Sequence, residues 1–172
     1  MSADNIQNII LAFFLIAIFG GLFLFMAVFF IYVFFQTSKR KRIRQRVLTT
    51  QTQFVGTHRW LPVRYASEPR FRSWFKIFPW EGAGIVVLMP GSVTFLGETN
   101  SGASVQLQFA PGNSTLNWIG KSPFPNGAVS WLDFTTASGK QYFSSETGAF
   151  VFGSDRSTRE IYEEARKCFG GS

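Results

Sequence analysis

The chain is poor in the side chains that most often do chemistry. Of 172 residues one is cysteine, Cys168, and one is histidine, His58. A single thiol excludes an intrachain disulfide and a thiolate metal cluster. One His and one Cys far apart in sequence leave a protein-bound zinc ion without a ligand set. Cys168 reads as a small apolar residue on a C-terminal helix, and the lack of disulfides fits a reducing compartment. Charged residues are only 16% of the chain. The acids Glu81, Glu98, Asp133 and Glu146 are scattered over apparent strand ends and turns, where each reads as a solvated surface group. Gly82-Ala83-Gly84 and the stretch from Gly97 to Gly102 lack the Lys-Ser/Thr and helix that follow a phosphate loop, so they read as turns. No catalytic constellation emerges. The expectation is a protein that is not an enzyme, with no cofactor, no metal and no small-molecule substrate.

What the chain has in excess is phenylalanine, with 21 copies, and one long apolar run. From Ile9 to Phe35 no residue is charged. About 27 residues make a helix of roughly 40 Å, longer than the ~20 residues that cross a bilayer core. The run is too long and uniform for a core helix. It follows Asp4 without a basic residue before it, unlike a signal peptide. The spacing predicts a transmembrane helix over residues 9–36, with Tyr32 near one interface. Gly20 and Gly21 sit mid-helix, where they either admit a neighbouring helix or are simply tolerated in lipid.

Charge divides along the chain. Lys39 to Lys76 holds eleven Lys or Arg and one acid, Glu68; the stretch from Ile77 onward holds six basic and eight acidic residues. Lys39, Arg40, Lys41, Arg42, Arg44 and Arg46 directly follow the apolar run. The positive-inside rule puts this side in the cytoplasm and residues 1–8 outside. The same six cations suit anionic lipid headgroups. A membrane tether accounts for the basic balance, so nucleic acid is not an expected partner.

Residues 37–80 read as a basic, aromatic connector. Trp60, Arg70, Arg72, Trp74 and Trp80 are expected to contact a partner protein or the membrane surface, because Trp and Arg dominate interface energetics; the competing reading has the tryptophans filling the domain core and the arginines solvated. Phe71 to Phe78 reads as either an interfacial helix or a first strand. Pro62, Pro69 and Pro79 keep any helix short.

Residues 81–172 carry strand signals. Ile85 to Met89 and Val93 to Leu96 flank Pro90-Gly91 as a hairpin. Val105, Leu107 and Phe109 alternate with glutamines, and Leu116 to Ile119 suggests another strand. Val129 to Phe134 and Lys140 to Phe143 form a second hairpin, and Ala149 to Phe152 a last short strand. The period then changes. Ser157-Thr158-Arg159-Glu160 reads as a capping box. Ile161, Tyr162, Ala165, Cys168 and Phe169 make an apolar helical stripe, ended by Gly170-Gly171.

Six or seven antiparallel strands followed by one helix resemble the pleckstrin-homology-like superfold, and within it the GRAM-type domains. The residues behind the resemblance are Gly84 to Glu98, Val129 to Phe143 and Asp155 to Phe169. It implies a mainly-β, antiparallel cytoplasmic domain closed by a C-terminal helix, behind a single N-terminal transmembrane α-helix. Such domains bind phosphoinositides, peptides or proteins. Many carry a basic lipid-binding loop, whereas Pro90-Gly91 here has no Lys or Arg. The expected function is a non-enzymatic accessory or scaffold subunit of a larger membrane complex, for example respiratory or photosynthetic, whose partners are other integral membrane subunits. The alternative is a membrane-tethered lipid- or peptide-binding module.

Overall fold

The computed structural model describes residues 3–76, 78–122, 126–127, 129–146 and 154–170, with side chains from residue 11 onward. The chain divides into two compact units, Met1–Ser38 and Lys39–Ser172. The first unit is helical and belongs to α1, Ala3–Thr50. This helix is long and apolar enough to cross a membrane, and none of its most apolar window is buried. No atom stands within 4 Å of a side chain built at Gly20 or Gly21.

The second unit starts with the last turns of α1 and continues through a short helix α2, Thr52–Val55. Then come β1, Arg59–Ser67; α3, Glu68–Arg72; β2, Gly82–Met89; β3, Ser92–Thr99; β4, Ser104–Phe109; β5, Ser114–Lys121; β6, Ser130–Thr136; β7, Gly139–Ser145; and α4, Ser154–Cys168. Seven antiparallel strands form one curled sheet in the order β4-β3-β2-β1-β7-β6-β5. Both expected hairpins are present, as are the strands around Leu107 and Trp118 and the closing helix. The strand expected at Ala149 to Phe152 lies outside the described residues.

The sheet is covered on both faces because its strands are apolar on both. Val63, Tyr65, Val86, Phe95, Phe109, Phe134 and Phe143 point to one side and pack against Ile161 and Ala165 of α4. Ile85, Val87 and Leu96 point to the other, against Ile43 and Val47 of α1. Farther along that second face, Ala66, Trp80, Val129, Trp131 and Tyr142 form a third apolar group, with Phe71 and Phe78 packed on it.

Several expectations change. The helix does not stop at residue 36: the basic run is helical to Thr50. The central strand β1 lies inside the stretch expected to be a connector. Its proline hid it, since Pro cannot donate within a central strand. Here β7 pairs β1 only from Val63 onward, so Pro62 sits just past that ladder, and its carbonyl accepts the Glu146 N–H at 3.1 Å. Of the stretch expected as an interfacial helix or first strand, Phe71 and Arg72 end α3, and the described residues 73–76 and 78 form neither. Gly82 and Gly84 are strand residues and not a turn. A Cβ at Gly84 would fall 2.1 Å from the Leu96 carbonyl oxygen across the ladder. Strand glycines of this kind allow a close backbone approach where a sheet bends. Gly84→Ala is therefore expected to destabilise the full chain by about 2 kcal/mol through forced strand displacement, read as a lowered thermal midpoint in detergent. The capping box is also displaced: α4 begins at Ser154, and Thr158, fully buried, accepts the Ser145 N–H through its hydroxyl at 3.0 Å.

Candidate functional site

Two features of the second unit concentrate polar and aromatic chemistry. The first is buried. On β1 the side chains Trp60, Arg64 and Ala66 share one face, and Arg64 falls between the two apolar groups on that side. Arg64 is 1% exposed. Its guanidinium lies 4.5 Å from the Trp80 ring centroid, and that of Arg40, from α1, lies 5.0 Å from the same ring. Arg40 Nε donates to Glu146 Oε1 at 3.0 Å, and Arg44 Nη1 to Glu146 Oε2 at 3.2 Å. Arg40 and Arg44 thus share one carboxylate, and Arg40 and Arg64 one indole. Burial, and next the charge of Arg40, push the Arg64 guanidinium down to about 10, with Glu146 opposing. It remains charged at neutral pH. Arg64 Nε and Nη1 are sealed from solvent without a hydrogen-bond acceptor, as is the hydroxyl of Ser144, its neighbour across the β1–β7 ladder. The indole face is what offsets the buried positive charge there, through cation–π attraction in a desolvated setting. Because no solvent reaches those nitrogens, the cluster is a clamp holding the end of α1 on the sheet.

The second feature is exposed. Helix α3 and the turn after it present Trp74, 63% exposed, and Phe75, 90% exposed. Their support is polar. Ser73 N–H bonds to the Pro69 carbonyl, and Lys76 Nζ bonds to the Arg70 carbonyl at 3.0 Å and to the Phe71 carbonyl and Asn126. Arg70 Nη2 donates to the Phe78 carbonyl at 2.9 Å. Phe71 stacks on Tyr142, with ring centroids 3.8 Å apart. Burial and the nearby Arg70 charge hold the Lys76 ammonium below its usual range. The result is a braced tip with two solvated aromatic rings and Arg72 beside them, paired to Glu68 at 2.7 Å.

The residues expected as one interface are therefore separated. Trp74 and Arg72 are at the tip. Arg70 braces it. Trp60 is half-buried on the apolar group under α1. Trp80 is 2% exposed and belongs to the buried clamp, so it offers no surface. Phe75, the most exposed ring of the tip, was missed; its position in a turn between two basic side chains was the available signal.

The six cations expected at the lipid surface also divide. Arg40 and Arg44 hold Glu146, Arg46 pairs with Glu98 at 2.8 Å, and Lys39 bonds to the Asn100 carbonyl. Lys41 and Arg42 are exposed. Glu146 and Asp133 are buried, at 8% and 3%, correcting their reading as solvated groups. Asp133 accepts from Asn117 and Thr135.

A cleft of about 330 Å³ opens between β4 and the β6–β7 turn, with Leu107 and Phe109 among its apolar lining and Gln108, Asn113 and Ser138 among its polar lining. Among the described residues there is no group of three potential metal ligands. No family model matches the chain, and no curated protein or solved structure matches it either.

Proposed function

We propose that this chain is a non-enzymatic accessory subunit of a larger membrane complex, anchored by α1 and contacting its partner through the Trp74–Phe75 tip on the cytoplasmic side. The observation that carries this reading is the tip itself. It holds two large, mostly exposed rings on a hydrogen-bonded turn, and Trp beside Arg is the composition of an interface hot spot. The apolar length of α1 supports the anchor, and the basic residues after it support a cytoplasmic second unit. Seven antiparallel strands followed by one helix support a pleckstrin-homology-like domain.

The test separates surface from core. Trp74→Ala and Phe75→Ala are each expected to change the thermal midpoint of the full chain by no more than the equivalent of about 0.5 kcal/mol. A photo-crosslinker at Phe75 should form one discrete protein adduct in intact membranes, and Trp74→Ala should abolish it. A large loss of stability would place these rings in a core. An unchanged adduct would remove the tip from the interface.

One observation favours the lipid- or peptide-binding alternative. With β1 at Arg59–Ser67, the first inter-strand connection is residues 68–81 and not Pro90-Gly91. It carries Arg70, Arg72 and Lys76, the basic character that the resemblance asks of such a loop. Adducts to lipid instead of protein at Phe75 would select this reading.

A further inference from the structure

Among the described residues two cationic side chains are fully buried, Arg40 and Arg64. Arg40 has its counter-charge, Glu146, at 3.0 Å. Arg64 is bonded to no carboxylate. The two buried carboxylates are already engaged, Glu146 by Arg40 and Arg44, and Asp133 by Asn117 and Thr135. Arg64 also sits directly opposite Ser144 across the β1–β7 ladder. Facing residues of a ladder point to the same side of the sheet. Ser144 is fully buried, and its hydroxyl meets no partner. Neither do Arg64 Nε and Nη1. Three donor atoms at one pair of facing positions thus lack an acceptor within the chain.

We propose that Arg64 and Ser144 bind a monatomic anion of the chloride class inside the second unit, beside the Arg40–Glu146 pair. The donor set selects an acceptor, and the charge selects an anion over water. A buried guanidinium without a counter-ion costs more than a cation–π contact contributes, so the Trp80 ring offsets only part of that cost. Water supplies lone pairs but no charge, while a monovalent anion supplies both. Enclosure selects the size. The donors are sealed from solvent, and a single atom needs the least room in a close-packed interior. The ion does for Arg64 what Glu146 does for Arg40, and so strengthens the clamp on the end of α1. This inference stands on the buried cluster and is independent of what the Trp74–Phe75 tip contacts.

The test compares thermal midpoints of the full chain in detergent, in sodium chloride and in sodium gluconate at equal ionic strength. A ligand that binds only the folded state stabilises it with the logarithm of its concentration. Above the dissociation constant, each tenfold rise in chloride should raise the midpoint by about 5 °C. Gluconate, too large for the site, should give no such rise. Arg64→Met should abolish the chloride dependence. Arg42→Met removes the same charge from an exposed position and should keep the dependence in full. Ser144→Ala should weaken the apparent chloride affinity about tenfold, the effect of one hydrogen bond to a charged group. It decides the matter if Arg64→Met does not fold. Equal midpoints in the two salts would leave water as the acceptor and overturn the proposal. So would a chloride dependence that survives unchanged in Arg64→Met or in Ser144→Ala.

Discussion

Replacing Glu146 by glutamine is expected to destabilise the second unit by about 3–5 kcal/mol, the range seen when one partner of a buried ion pair is removed. The substitution keeps shape and removes charge. Arg40 and Arg44 would lose the carboxylate they share, and Arg40 is 2% exposed, so it cannot turn to water without lifting α1 from the sheet. Arg64 would also lose the one nearby charge that favours its ionised form. The loss is a large share of the ~5–15 kcal/mol that stabilises a typical domain. The thermal midpoint of the full chain in detergent should drop by about 10 °C or more. Adding Arg40→Met to Glu146→Gln should recover part of that loss, because a buried charge without a counter-ion costs more than a well-packed apolar side chain. An unchanged midpoint in Glu146→Gln would show that the ion pairs do not hold the helix end.

Trp80→Ala should have an effect of similar size, about 3–5 kcal/mol, the usual result of deleting a large buried aromatic side chain. The cavity is only part of it. Phe78 stacks on the indole at 4.9 Å, and two guanidiniums lie over its ring. Without the ring, Arg64 has neither a hydrogen-bond acceptor nor a π face for its buried nitrogens. Trp80→Phe keeps a ring and should retain most of the stability, though less than Trp itself, which is the strongest cation–π partner. The contrast with Trp74→Ala is the useful measurement. Both tryptophans come from one aromatic stretch six residues apart in sequence, and equal effects on stability would contradict their different burial.

Local pattern made much of the fold readable. The unbroken apolar run from Ile9 to Phe35 required a long helix, because only a helix satisfies so many backbone groups within itself. Alternation through Val105, Leu107 and Phe109, and the Pro90-Gly91 turn, placed strands where they are. The stripe of Ile161, Ala165 and Cys168 required a helix with one covered face, and α4 covers the sheet with it.

Strand β1 was not readable in the same way. Arg64 and Pro62 break its apolar pattern, and both are accommodated by partners distant in sequence: Glu146 and Trp80 for the arginine, the end of β7 for the proline. The basic run after the apolar helix could be counted but not assigned, since a guanidinium looks the same in sequence whether it faces lipid or Glu146. Trp74 and Trp80 were equally indistinguishable. The sequence by itself determined the apolar helix, the hairpins and the closing helix, because those follow from periodicity within a few residues. Only the tertiary structure decided which tryptophan is surface and which is clamp, and which arginines are buried. For Arg40 and Arg44 the outcome depends on a carboxylate more than a hundred positions away that the curled sheet brings within about 3 Å.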